Sequence, residues 1–332
     1  MTNSPEALDQ ASVDRLAAAT GGRMTSARVR DGVLSLVLDV SGLSVVAREQ
    51  LEAETGAVGR TLPGVQDVRI ALTADKERPP LIIAVGSGKG GVGKSTLSAN
   101  LAVALARAGR RVGLVDADIY GPSLPRLMSS EGVKPEVEGK KLVPVPNAFD
   151  VPMLSMGHLV PPGQAIAWRG PMAGNALSQL VDAAWRDTEV LIVDLPPGTG
   201  DIQLTMIQRY KPAGAVIVST PQDLALIDAA RAVSLFDQAK VPIIGMVENM
   251  AGYVCPHCGE VSDPFGSGGA EASAAKLGLP FLGRIPLDIA VRTASDAGTP
   301  PAFADGVHGT AFRAIAQHVS QWLDKSIGAN AR

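Results

Sequence analysis

Hydrophobic positions along the chain follow two regimes that meet near residue 80. In the first, short helical and alternating patterns mix. A helix is predicted from Ser4-Pro5-Glu6 to about Ala19, and strands around Val29 and from Val33 to Val40 flank an Asp31-Gly32 turn. A second helix is predicted from about Leu43 to Val58, and Val65 to Leu72 alternates as a strand. Residues 1–73 are therefore expected to form a small α+β domain. Residues 74–80, Ala-Asp-Lys-Glu-Arg-Pro-Pro, are charged and end in two prolines, the composition of a linker.

In the second regime, over 81–324, unbroken apolar runs alternate with helical patterns. The runs are Leu81 to Val85, Val112 to Val115, Val190 to Val193, Ala215 to Val218, Ile243 to Val247 and Phe281 to Ile285. Continuous apolarity means strands covered on both faces, so an α/β fold with a doubly wound, mostly parallel sheet is predicted. Ligands in such sheets sit at the carboxyl ends of the strands. Val133 to Pro146 reads as a peripheral hairpin around Glu138-Gly139. A last helix, from about Gly309 to Leu323, places Phe312, Ile315, Ala316, Val319, Trp322 and Leu323 on one face. Its flanks lack the basic clusters that favour membrane binding, so docking on the sheet is expected, with 325–332 as a tail.

Composition narrows the function. Net charge is -3 and hydrophobic content 46%. There is no cationic field suited to nonspecific nucleic-acid binding. No stretch approaches the roughly 18 apolar residues of a membrane span, and the N-terminus is not basic then apolar, so no membrane association and a cytoplasmic location are expected. The two cysteines, Cys255 and Cys258, cannot make a disulfide framework.

The chemistry starts at residues 86–96, Gly-Ser-Gly-Lys-Gly-Gly-Val-Gly-Lys-Ser-Thr. Gly88, Lys89, Gly90, Gly91, Val92, Gly93, Lys94 and Ser95, followed by Thr96, meet the G-x-x-x-x-G-K-[ST] phosphate-loop pattern between a strand and a helix. Glycines let backbone N–H groups turn toward phosphate oxygens, and the helix points its positive end at them. Lys94 then supplies a charge to the β- and γ-phosphates of ATP, and Ser95 is the candidate Mg2+ ligand. Lys89 is an additional lysine inside the loop.

Two strands bring carboxylates to the same sheet edge. Val112 to Val115 leads into Asp116-Ala-Asp118, and Leu191 to Val193 into Asp194-Leu-Pro-Pro-Gly-Thr-Gly-Asp201. Phosphoryl transfer to water needs a carboxylate to hold Mg2+ and a group to orient the water. Asp194 suits the first role, with Gly198 and Gly200 giving a loop free to rearrange with the γ-phosphate. Asp118 suits the second; its alternative is an aspartate capping the next turn.

These segments, with Trp168-Arg-Gly-Pro-Met172, Val247-Glu-Asn-Met250 and Cys255-Pro-His-Cys258, resemble the Mrp/ApbC iron-sulfur cluster carrier ATPases, relatives of MinD and ParA. The resemblance spans essentially 81–324. It implies an ATP-hydrolysing homodimer in which Lys89 reaches the nucleotide of the opposite subunit and Asp118 polarises the attacking water. It further implies that Asn249 reads the adenine edge and that Pro286-Leu-Asp288 lies near the base. The first domain is similar to the small iron-sulfur-assembly domain often fused ahead of this ATPase, notably in Leu62-Pro-Gly-Val-Gln-Asp-Val-Arg69. The cysteine such a domain often carries is replaced here by Val40-Ser-Gly-Leu-Ser-Val45, so no metal role is assigned to it.

The cysteine pair sits on a glycine-flanked turn after the strand ending near Glu248. One chain lacks the four ligands of a structural zinc site, because His158, His308 and His318 have no ligand-like spacing and His257 lies between the thiols. A redox pair should open a helix in a small fold, which this turn does not. Two chains together offer four thiolates, the ligand count of a cubane cluster. The family resemblance points the same way, to a labile [4Fe-4S] cluster bridging two subunits and passed to apo iron-sulfur proteins. Zinc in the same bridging site is the alternative, and a spatial-organisation ATPase is the alternative function.

Overall fold

The structure is a computed structural model that describes residues 8–41, 43, 45–73, 79–160, 171–255 and 257–330. The chain forms two compact units, Met1–Arg78 and Pro79–Arg332. In the first, α1 (Gln10–Thr20), β1 (Met24–Arg30), β2 (Val33–Asp39), α2 (Val45–Gly59) and β3 (Asp67–Thr73) follow in order. Residues 4–6 lie outside the described residues; α1 begins later than the pattern suggests because Asp9 caps it, accepting from the Ser12 N–H at 2.8 Å. Asp31 and Gly32 take φ of 51° and 73°, the left-handed pair that a tight hairpin turn between β1 and β2 needs. β2 pairs antiparallel with β1 and parallel with β3, and Leu16, Val29, Leu34, Leu36 and Leu62 fill the core beneath.

The second unit opens with β4 (Leu81–Ser87), α3 (Lys94–Arg107), β5 (Val112–Asp116) and α4 (Leu124–Leu127). A hairpin, β6 (Val137–Glu138) and β7 (Lys141–Leu142), precedes β8 (Met153–Ser155), α5 (Met156–Leu159) and α6 (Pro171–Val181). Then come β9 (Val190–Asp194), α7 (Asp201–Thr205), a π-helical turn at Met206–Tyr210, β10 (Gly214–Ser219) and α8 (Asp223–Gln238). β11 (Ile243–Val254), β12 (Val261–Ser262), α9 (Gly269–Leu277), β13 (Phe281–Leu287), α10 (Ile289–Asp296) and α11 (Val307–Asn330) complete it.

The sheet runs β12-β11-β10-β4-β9-β5-β8, with β13 also on β11. Every pairing in it is parallel except that of β12. Successive strand residues point into two cores, which is why the runs read as continuously apolar. Ile83, Val85, Leu114, Ile192, Val216 and Val218 pack with α3 and α11, whereas Ala84, Val115, Leu191, Val193 and Ile217 pack with α6 and α8. Phe312, Ile315, Ala316, Val319 and Leu323 of α11 are all buried in the first core, so the last helix docks as expected.

Three features differ from the pattern. β8, a short edge strand entered through Pro152, carries too few residues to stand out. α11 continues to Asn330, through most of the stretch read as a tail. β11 does not stop near Glu248 but runs on to Val254, past a kink where Met250 and Gly252 have φ of 60° and 73° and the register with β13 shifts.

His158 in α5 is buried; its Nε2 shares a hydrogen bond with Ser130 Oγ at 3.1 Å and its Nδ1 has no partner among the described residues. Burial holds its pKa below the ordinary histidine value. The unfolded imidazole thus takes up a proton at pH values where the folded one does not, and stability is lost as pH falls below about 6.5. In His158→Gln the fall in Tm between about pH 7.5 and about pH 5 should be smaller than in the parent. Equal falls by calorimetry would contradict this.

Candidate functional site

The phosphate loop joins β4 to α3, as the strand-loop-helix context requires. Gly93, with φ of 82°, is the residue that turns the chain into the helix. A β-carbon on it would lie 2.0 Å from Asn249 Nδ2, and one on Gly88 would lie 2.0 Å from the Asp228 carbonyl carbon of α8. Gly93 is thus required by its conformation and Gly88 by the close approach of the α8 backbone. Asn249 donates from Nδ2 to the Val92 carbonyl at 2.8 Å, closing β11 onto the loop.

Behind the loop the charged groups neutralise one another. Lys94 Nζ lies 2.8 Å from Asp194 Oδ2, with the two side chains 6% and 0% exposed. Ser95 Oγ donates to Asp194 Oδ2 at 2.6 Å and Ser98 Oγ to Oδ1 at 2.7 Å. Beside Asp194 in register stands Asp116, fully buried, accepting from the Ser155 hydroxyl and from the Asp118 and Leu124 N–H groups. Burial, and then the Asp194 charge, push the Asp116 carboxyl up to about 7. Two carboxylates and three serine hydroxyls, beside one ammonium, form an oxygen-rich set of the kind that holds Mg2+ together with substrate phosphates.

The other candidates stand around this centre. Asp118 Oδ1 accepts from the Tyr120 and Gly121 N–H groups at 3.1 and 3.3 Å, the turn-capping arrangement. Lys89 Nζ reaches Gln222 Oε1 at 3.4 Å, on the side of α8. Neither side chain is hydrogen-bonded to Lys94 or Asp194. The loop after Asp194 folds back on β4, with the Gly198 N–H donating to the Ser87 carbonyl at 3.0 Å. Trp168, Arg169 and Gly170 lie outside the described residues.

Cys255 and Cys258 occupy the tip of a hairpin. Tyr253 and Val254 of β11 pair antiparallel with Ser262 and Val261 of β12. Cys255 donates its N–H to the Glu260 carbonyl and accepts from the Gly259 N–H, both at 2.9 Å, and Gly259 takes φ of 74°. The turn directs the Cys258 and His257 N–H groups at the Cys255 sulfur, which with the Cys258 thiol hold its pKa below the usual thiol value. Cys255 is thus disposed toward thiolate and is half-exposed, and Cys258 beside it is exposed. Among the described residues no group of three or more metal-ligating side chains occurs within one chain.

A family model described as ParA: NUBPL iron-transfer P-loop NTPase matches residues 80–320. The chain belongs to this family. An iron-sulfur cluster carrier protein of Deinococcus radiodurans is 44% identical over 89% of the chain and 87% of its own length. That of Escherichia coli K12 is 45% identical over 73% of the chain and 66% of its own. Among solved structures, a nucleotide-binding protein of Archaeoglobus fulgidus in complex with ADP is 41% identical, with a TM-score of 0.59 over 66% of this chain and 86% of that one. The cell-division ATPase MinD of Pyrococcus furiosus, 23% identical at a TM-score of 0.55 over 74% of this chain and all of that one, shares the fold. The chain is therefore a P-loop NTPase of the iron-sulfur carrier family, and no described helix is long and apolar enough to cross a membrane.

Two contributors to the site, Ser98 and Ser155, escaped the sequence pattern. Ser98 is one helical turn beyond Lys94, a polar residue in an apolar stretch, and that spacing was the available signal. Ser155 had none, since its strand was not recognised. Glu248, buried, accepts from the Gly268 and Ala270 N–H groups at the start of α9 and from Arg284 Nε.

Lys94→Ala should lower the stability of the nucleotide-free protein by about 3–5 kcal/mol, because it leaves the Asp194 charge buried without its partner. Denaturant unfolding at neutral pH checks this; a change under about 1 kcal/mol would mean the pair is not held together before nucleotide binds.

Proposed function

We propose that this NTPase is a cytoplasmic homodimer that binds and hydrolyses MgATP. In the same reading it carries a [4Fe-4S] cluster on the cysteine pairs of its two subunits and delivers it to apo iron-sulfur proteins. The observation that carries the nucleotide half is Asp194 held by Lys94, Ser95 and Ser98 directly behind the loop. For the cargo half it is the low-pKa Cys255 beside Cys258 on an exposed hairpin.

On this reading Lys94 leaves Asp194 for the β- and γ-phosphates, and the backbone N–H groups of 88–95 cradle their oxygens. Ser95 and Asp194 would hold Mg2+, which supplies charge neutralisation at the bridging oxygens. Asp118 is the group assigned to orient the attacking water, which requires it to leave the turn it caps. Lys89, free of the internal ion pair, is assigned to the γ-phosphate of the opposite subunit. Asn249 is assigned to the base side of the nucleotide. The domain limits 1–73, 74–80 and 81–324 go with this reading, the first unit having no assigned metal.

The cluster is cargo. Two thiolates per chain give each subunit half of a cubane site, so a cluster shared between subunits is released when they separate. The names of the relatives, as iron-sulfur cluster carriers, support the same assignment.

Lys89→Ala and Asp118→Asn should each keep nucleotide binding and lose most turnover, on the order of a hundredfold for a charge acting in the transition state. Mixed dimers of the two variants should recover part of the activity, because one composite site then has both groups intact. No recovery, with heterodimers demonstrated, would contradict action across the interface.

Cys255→Ala and Cys258→Ala should each abolish the visible absorbance of anaerobically reconstituted protein while ATP hydrolysis persists. A single-cysteine variant that keeps full iron content would refute the cysteine assignment. A colourless parent holding zinc would overturn the carrier reading.

A further inference from the structure

We propose that Gln203, in the first turn of α7, is the positioning residue that latches the loop 195–200 in its γ-phosphate-free form. The proposal rests on the nucleotide reading of the site. Gln203 is 3% exposed, and its Nε2 donates to the Pro196 carbonyl at 2.5 Å and to the Gly198 carbonyl at 3.1 Å. Those carbonyls lie on either side of Pro197. Gly198 in turn donates its N–H to the Ser87 carbonyl at 3.0 Å, and Ser87 Oγ donates to the Lys89 carbonyl at 3.0 Å. One side chain therefore fixes the loop that follows Asp194 and, through Gly198, ties it to the phosphate loop.

The other end of the amide gives the arrangement its direction. Gln203 Oε1 is buried and has no hydrogen-bond partner among the described residues. Only the NH2 end can serve two carbonyls, so the orientation of the amide is set by its surroundings. Oε1 faces Gly200, where an added β-carbon would lie 3.6 Å away. Gly200 borders a cavity of about 90 Å³ that Tyr120, Pro197 and Asp201 also line. The latched form thus gives this acceptor no protein donor among the described residues, and a shifted loop that brings it a backbone N–H supplies one.

The helix is fastened at its far end. α7 runs directly into the π-helical turn Met206–Tyr210, where Tyr210 Oη and Arg209 donate to Asp182 at 2.9 and 3.0 Å. Such turns are frequent at functional sites. With α7 anchored there, a γ-phosphate that displaces the loop must break the two Gln203 bonds.

The test uses the full chain and two variants. Gln203→Met keeps the length and removes donor and acceptor; Gln203→Glu keeps the acceptor and removes the donors. Affinities are measured for ADP and for a non-hydrolysable ATP analogue. Loss of two bonds made only in the γ-phosphate-free form should raise the preference for the ATP analogue over ADP by about three- to tenfold, tenfold being about 1.4 kcal/mol. In the parent, hydrogen exchange of the Gly198 amide should quicken with the ATP analogue and stay slow with ADP, a readout that does not depend on the variants folding. Equal shifts for both nucleotides, a weakened ATP analogue, or unchanged Gly198 exchange would overturn the latch. A parent that binds neither nucleotide would overturn the nucleotide reading and the latch with it.

Discussion

A lysine ammonium and an aspartate carboxylate, 2.8 Å apart and buried at the carboxyl end of a parallel sheet, set the terms for the rest of this molecule. Taking both charges from water costs several kcal/mol per ion, and their attraction offsets this only when the remaining hydrogen-bonding capacity is filled. Here it is filled from α3, whose first residue is Lys94 and whose Ser95 and Ser98 hydroxyls reach the two oxygens of Asp194. The arrangement needs β4, β9 and α3 in fixed register, and the two apolar cores on either side of the sheet hold them there. Asp116 adds a second buried carboxylate, and burial, then the Asp194 charge, raises its pKa. On the proposed reading, the groups that would engage a magnesium nucleotide are kept here as partners of one another.

A second dependency runs along β11. Its inner part is paired with β10 as far as Glu248, and the next residue, Asn249, bonds the phosphate loop. Beyond the kink at Met250 and Gly252 the same strand continues into the hairpin that carries Cys255 and Cys258. A non-glycine residue at positive φ is strained and persists where its surroundings impose it. The backbone thus connects the candidate nucleotide contact to the candidate cargo ligands over seven residues, Asn249 to Cys255. Opposite the hairpin, Glu248 anchors α9 through Gly268 and Ala270 N–H groups, so the inner strand is fixed while the outer part projects.

Much of this was legible because the strands are buried on both faces: six apolar runs mark six of the parallel strands, and the glycines, Lys94 and Ser95 mark the loop between two of them. Asp194 and Asp116 could be placed because each ends such a run. What periodicity does not encode was missed. β8 is three residues long, and the outer part of β11 is defined by its partner β12 and by a kink, not by hydrophobicity. The bond of Asn249 to the loop is a tertiary fact, whereas the turn-capping bonds of Asp118 are local and stood among the sequence readings. A motif identifies the residue type at a position and leaves the direction of its side chain to packing.

The most direct test is native mass spectrometry of the parent protein after anaerobic reconstitution with iron and sulfide. Cysteine pairs that each supply half of a cubane site should give dimers carrying four irons and four sulfides, and monomers carrying none. Monomers that each hold a complete cluster, or dimers that remain free of iron and retain a single zinc, would contradict the account.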